Sequence, residues 1–145
     1  MEHMNNYLIL TILGVIFYTI DKRVNRCNKK VPVRHELLHL IHNITAITLY
    51  LGPFLINDIY PLLLLYIGSA FIMVQGCVSK NREQQCFLMP IYNKMCGVDE
   101  NRTLFDIFSI TGIKQYSADK FPYVYYIVNL LIYTYLTLKV YNYYS

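Results

Sequence analysis

One short string in this chain has the residue types and spacing of a zinc enzyme. It is the HELLH string at residues 35–39, in which a helix would place His35 and His39 one turn apart to bind Zn²⁺ while Glu36 activates a water molecule. His42 lies about one further turn along the same helix face. Three ligands on one helix are spread over about 10 Å, however, and a catalytic zinc needs protein ligands that converge from more than one direction.

We therefore interpret these histidines first as polar residues that face the interior of a helical bundle. A membrane metal-binding protein or a zinc-dependent enzyme built on the HELLH string is the alternative. Haem ligation by His39 or His42 would require facing histidines on two helices. Since His3 is predicted at the opposite rim of the membrane, a haem would require a homodimer.

Four cysteines form the second candidate metal site. Their spacings match no zinc-ribbon or ferredoxin pattern, although four thiolates, or three thiolates with the imidazole of His35, could bind zinc. In the topology argued below they all face the cytoplasm, so separate reduced thiols are the preferred interpretation. An inverted topology would instead make disulfides the default. The four are Cys27, Cys77, Cys86 and Cys96.

The composition indicates that most of the chain is surrounded by lipid and not by water. Of the 145 residues, 55% are hydrophobic and 15% are charged, whereas an average soluble domain has about 45–50% and about 25%. Apolar blocks at residues 4–20, 37–56, 61–78 and 121–138 approach or reach the length that crosses about 30 Å of hydrocarbon. We predict an all-α fold, an integral membrane bundle of four transmembrane helices that forms a single membrane domain over residues 1–145. A disordered tail, a nucleic-acid-binding domain and a disulfide-dense secreted fold are excluded as interpretations, despite the net charge of +4.

The cations are distributed unevenly between the loops, and this bias orients a multi-span protein. Of the 13 lysines and arginines, only Lys139 lies outside residues 21–36 and 79–120. These two loops are therefore predicted to be cytoplasmic, with both termini exoplasmic or lumenal. The basic residues of the first loop are expected to contact anionic headgroups. They are Lys22, Arg23, Arg26, Lys29, Lys30 and Arg34.

The third loop contains a predicted interfacial helix and a sequon, and the last span contains two tyrosines near its middle. Residues 79–120 are too long for a simple connection, and residues 103–111 have the pattern of an interfacial amphipathic helix. A sequon at Asn101 would stay unglycosylated in a cytoplasmic loop. Tyr133 and Tyr135 fall in the middle of the fourth span, so each needs a partner on another helix.

One resemblance accompanies these patterns. The string CFLMPIYNKMCG at residues 86–97, preceded by the histidine-bearing second span and followed by FDIF at residues 105–108, resembles small multi-pass membrane proteins of unassigned role from A+T-rich giant DNA viruses. This resemblance covers residues 34–108 and implies a viral or host membrane. We expect a non-enzymatic, multi-pass membrane protein with a structural or interaction role and no cofactor. Its expected partners are anionic lipid and a second copy or other membrane proteins, not nucleic acid.

Overall fold

The four apolar blocks are helices. The computed structural model describes residues 2–24, 27, 29–78, 94–97 and 121–145, and the regular structure within these ranges is entirely helical. The long helices are α1 (Glu2–Val24), α2 (Val33–Leu55), α3 (Ile59–Val78) and α4 (Phe121–Tyr144). The all-α prediction is confirmed, and the predicted amphipathic helix at residues 103–111 lies outside the described residues.

All four helices extend beyond the blocks read from the sequence, and α1 and α2 do so at the ends where these two helices face each other. α1 continues through Asp21 to Val24, with Lys22 and Arg23 in its last turn, where cations interact favourably with the helix dipole. α2 begins directly after Pro32, whose extended backbone precedes the first turn. The HELLH string is therefore helical along its whole length, and Asp21 belongs to a helix and not to a loop.

The helices pack as neighbouring pairs. α1 lies against α2, α3 lies against α4, and α2 also contacts both α3 and α4. α1 and α2 approach each other closely at Gly14, where an added Cβ would lie 2.7 Å from the Cα of Ile44. The missing side chain of Gly14 thus allows the two helix backbones to come together.

The tyrosines in the middle of α4 have the helix partners predicted from the sequence. The hydroxyls of Tyr133 and Tyr66 are 2.8 Å apart and their rings stack at 5.0 Å. Tyr135 stacks on Phe54 of α2 at 4.9 Å. Each aromatic pair joins two helices.

By length and composition, fewer helices qualify as membrane spans than the four predicted from the sequence. Within the described residues, α2 is the one helix that is long and apolar enough to cross a membrane, while the apolar stretch Ile59–Val74 of α3 is shorter. One such helix does not confirm four spans.

Candidate functional site

The polar side chains of interest gather where the end of α1 meets the start of α2. Asp21, His39 and Asn43 are all buried at this position. Nε2 of His39 lies 2.6 Å from Oδ2 of Asp21, and the Asn43 amide donates to the same oxygen at 3.3 Å. The amide also donates to the His39 carbonyl at 3.1 Å, and the Tyr18 ring meets the imidazole edge to face at 4.9 Å. The result is a buried hydrogen-bonded network that joins two helices.

Glu36 is held on the more exposed side of this network. Nζ of Lys22 lies 2.9 Å from its carboxylate, and the Tyr18 hydroxyl donates a short hydrogen bond to the same oxygen. The hydrogen bond from Lys22, followed by that from Tyr18, lowers the pKa of Glu36. A general base works best with a pKa near the operating pH, so this environment shifts Glu36 away from the role that the zinc-protease pattern would give it.

Cys27 and Cys96 form a disulfide between segments that are 69 residues apart in sequence. The prediction of separate reduced thiols is therefore wrong for this pair. The bond joins the loop after α1 to residues 94–97 of the long third loop, so both segments must lie on one side of any membrane that the chain crosses. That arrangement agrees with the shared side predicted from the cations, whereas the oxidised state does not agree with the expectation for a cytoplasmic thiol pair.

His35 lies beside this disulfide. The two sulfurs and a ring nitrogen of His35 all lie within 4.8 Å of one another, and the imidazole and Cys96 are buried. Cys96 ends a short helical turn, after which Gly97 takes a φ of 71°. An added Cβ on Gly97 would lie 2.9 Å from the aliphatic carbons of Lys29, so the lysine chain covers this turn.

The seven metal-ligand candidates are thus divided among different environments. Cys27, His35 and Cys96 come together, whereas His39 is bonded to Asp21 and His42 is a half-buried residue of α2 outside that group of three ligand atoms. Cys77 is on α3, but its side chain lies outside the described residues, as does the whole of Cys86. The ligand set that the fold favours mixes one member of the HELLH string with two of the cysteines.

The basic residues of the first loop also differ in their surroundings. Lys22 is paired with Glu36, and Arg26 lies outside the described residues. The remaining four are exposed at the same end of the α1–α2 pair. They are Arg23, Lys29, Lys30 and Arg34.

The opposite end of α2 is held by Lys139, the one cation that the sequence places apart from all others. Its Nζ donates to the carbonyl oxygens of Pro53 and Ile56 at 2.7 Å each. These carbonyls belong to the end of a helix, where backbone acceptors lack intrahelical partners. The sequence analysis used Lys139 only in counting the cations on each side of the membrane and did not predict this contact. It also did not predict that Asp21 is buried.

Comparison of the chain with protein-family models, with curated proteins and with solved structures gives no match.

Proposed function

We propose that this chain is an integral membrane protein with four spans, which acts as a structural or interaction component of a viral or host membrane. The observation that carries the proposal is a row of exposed apolar side chains along each helix. On α3 the members of this row recur every three or four residues and are each more than half exposed. They are Tyr60, Leu64, Ile67, Phe71 and Val74.

The other three helices expose similar apolar faces. An apolar surface of this extent is unfavourable in water and is typical of a surface covered by lipid or by other proteins. The members with large exposed fractions are Leu8, Ile12 and Ile16 on α1, Val33, Leu37 and Ile41 on α2, and Ile127, Leu131 and Leu138 on α4.

The interior supports the same proposal because it contains polar side chains. Asp21, His39 and Asn43 are buried and bonded to one another, and Ser69 and Asn129 are buried in α3 and α4. Polar residues that face the bundle interior while apolar residues face outward are typical of membrane helices. In hydrocarbon, the hydrogen bonds of His39 and Asn43 would replace those that water would otherwise provide.

The proposed contact with lipid headgroups uses the basic end of the α1–α2 pair. Lys29, Lys30 and Arg34 are exposed there, each contributing about 1 kcal/mol to attraction by an anionic surface. Residues 79–120 would add a docking face for a partner on the same side. In this orientation the basic end faces the cytoplasm and the termini face the exoplasmic or lumenal space.

A zinc-dependent enzyme built on the HELLH string has less support from the geometry. Glu36 is engaged by Lys22 and Tyr18, and His39 is engaged by Asp21. The two imidazoles of the string therefore do not converge on one point with a free carboxylate nearby. A metal-binding role is better supported by the Cys27, His35 and Cys96 group.

Accessibility mapping of single cysteines tests the span count and sidedness. All four natural cysteines are replaced by serine in the full chain, and single reporters are introduced by Lys30→Cys, Asn57→Cys, Lys114→Cys or Ser145→Cys. In sealed membranes, an impermeant maleimide should label Asn57→Cys and Ser145→Cys from the exoplasmic side. Lys30→Cys and Lys114→Cys should react only after the membrane is opened. Labelling of these last two from opposite sides, or recovery of the protein without detergent, would exclude the proposal.

The lipid contact is tested on the full chain in nanodiscs with and without anionic lipid. We expect anionic lipid to raise the unfolding temperature of the wild type, because the exposed cations bind its headgroups. The triple variant Lys29→Gln, Lys30→Gln, Arg34→Gln should lose this dependence. The matched control, Lys139→Gln, removes a cation at the other end and should retain it; equal loss in both variants would contradict the proposed face.

A further inference from the structure

We propose that Cys27, His35 and Cys96 form a redox-gated zinc site, which binds Zn²⁺ when both cysteines are thiolates and releases it when they form the disulfide. The gating rests on the proposed cytoplasmic orientation of this end of the bundle. Zinc binding by the reduced chain does not rest on it, because it depends only on the local arrangement of the three side chains.

The geometry supports a shared metal. The two sulfurs and the imidazole nitrogen already lie within 4.8 Å of one another while the sulfurs are covalently bonded. Around a tetrahedral zinc with Zn–S distances of about 2.3 Å, two sulfurs are about 3.8 Å apart. Breaking the disulfide allows this small separation without a rearrangement of the helices. His35 is fixed on the first turn of α2 and so supplies the third ligand from a rigid element.

The ligand chemistry selects a borderline or soft metal. Two thiolates and one imidazole are a known zinc ligand set, in which the fourth position is open to a water molecule or a further ligand. Two thiolates also balance the charge of Zn²⁺. The site combines a fully buried Cys96 and a buried His35 with the partly buried Cys27, so an ion could enter from the Cys27 side.

Because the site is buried, the two cysteines are stable either as a disulfide or as thiolates bound to zinc. Thiolates at a buried site are costly unless they are neutralised, and both the disulfide and the zinc complex remove the uncompensated charge. The chain can therefore close this junction between the first and third loops in two ways. In the oxidised state Cys96 is attached to the loop after α1 through Cys27. In the zinc-bound state the metal would join Cys96 to that loop and, through His35, to α2.

The conversion of the zinc complex into the Cys27–Cys96 disulfide balances when the oxidant is a small disulfide. The two zinc-bound thiolates give two electrons to the disulfide R–S–S–R, the Cys27–Cys96 bond forms as the R–S–S–R bond breaks, and Zn²⁺ and two R–S⁻ are released. A dithiol reverses the reaction and is itself oxidised to a disulfide. Disulfides of cytosolic proteins are usually transient and redox-sensing, so a pair oxidised on the cytoplasmic side fits a switch better than a permanent cross-link.

The test uses the full chain in detergent with Cys77→Ser and Cys86→Ser, which leaves Cys27 and Cys96 as the only thiols. After reduction with a phosphine and its removal, titration with Zn²⁺ should show one ion per chain, and Co²⁺ should give a thiolate charge-transfer band. Added glutathione disulfide should release the zinc as the two thiols disappear. The oxidised chain should bind no zinc at this site.

Variants at His35 identify the third ligand. His35→Gln should weaken zinc binding by more than about tenfold, since even the loss of an outer-shell partner costs that much. Its disulfide should still form on oxidation, which shows that the loop junction is intact. His35→Cys should restore tight binding with a third thiolate, and His42→Gln, the matched control on the same helix, should bind as the wild type does.

Several results would overturn the proposal. These are the absence of zinc from the reduced chain, equal zinc binding by the reduced and oxidised chains, or zinc affinity that is unchanged in His35→Gln. Loss of binding in the Cys77→Ser, Cys86→Ser background, with binding by the wild type, would assign the ligands to other cysteines. A glycan on Asn101 would overturn the cytoplasmic orientation and the gating, while the titration in detergent would still decide the zinc site by itself.

Discussion

The imidazole of His39 lies 2.6 Å from the carboxylate of Asp21, and the two side chains are 2% and 0% exposed. This pair joins the last turns of α1 to the first half of α2 in the interior of the bundle. Because Asn43 donates to the same carboxylate oxygen, the network connects two polar groups of α2 to one group of α1. Its removal should therefore affect how the two helices associate.

Removing one member of this pair should destabilise the protein strongly. We expect Asp21→Ala to lower the free energy of unfolding by about 3 kcal/mol or more, since it leaves His39 and Asn43 buried without the carboxylate. Chemical unfolding in detergent measures this change. The matched control Arg23→Ala, an exposed residue two positions away, should change it by less than about 0.5 kcal/mol. The double variant Asp21→Ala, His39→Ala should cost less than the sum of the single variants; strict additivity would contradict a direct interaction.

Gly14 should not tolerate a methyl group. An added Cβ would lie 2.7 Å from the backbone Cα of Ile44, so Gly14→Ala should push α1 away from α2 and cost about 1–3 kcal/mol. Gly68→Ala is the control, since its Cβ would meet only the end of the Leu49 side chain at 3.2 Å. Both changes gain similar helix propensity. Thermal unfolding should separate them, and equal unfolding temperatures would argue against the close approach at Gly14.

Lys139 should stabilise the end of α2 through hydrogen bonds that begin on another helix. Lys139→Met keeps much of the side-chain volume but removes the donors to the Pro53 and Ile56 carbonyls. The expected loss is about 1.5–3 kcal/mol, which is typical of hydrogen bonds to a charged group. Lys30→Met removes the same charge from an exposed position and should have little effect on unfolding in neutral detergent. Similar losses in both variants would show that net charge, and not the contact, is responsible.

Acid should weaken the contact between Glu36 and Lys22, both of which lie outside the proposed spans. The hydrogen bonds from Lys22 and Tyr18 depress the pKa of Glu36 in the folded protein. The contribution of Glu36 to stability is therefore fully present above its unfolded pKa of about 4.3 and is lost as the pH falls through the lower folded pKa. Unfolding temperatures measured from pH 7 downward should fall less steeply for Glu36→Gln than for the wild type. Parallel curves would exclude this contribution.

The local sequence contained enough information for the helices and for the polar residues inside them. Apolar blocks of sufficient length predicted α1 to α4, because a long run of such residues is stable as a helix in an apolar environment. The predicted second span began at residue 37, whereas α2 begins at Val33 and includes the whole HELLH string. The position of Tyr133 in the middle of a block also predicted a partner on another helix, which is Tyr66.

Only the tertiary structure decided which polar groups meet. Asp21 appeared from sequence to be a charged flank, and its burial follows from the continuation of α1 alongside α2. Cys27 and Cys96 are 69 residues apart, and a spacing of that length carries no information about pairing. His35 and His39 share one motif yet have different partners, because side chains on one helix face neighbours that other segments supply. Helix formation depends on short-range patterns, whereas the environment of each functional group depends on long-range contacts.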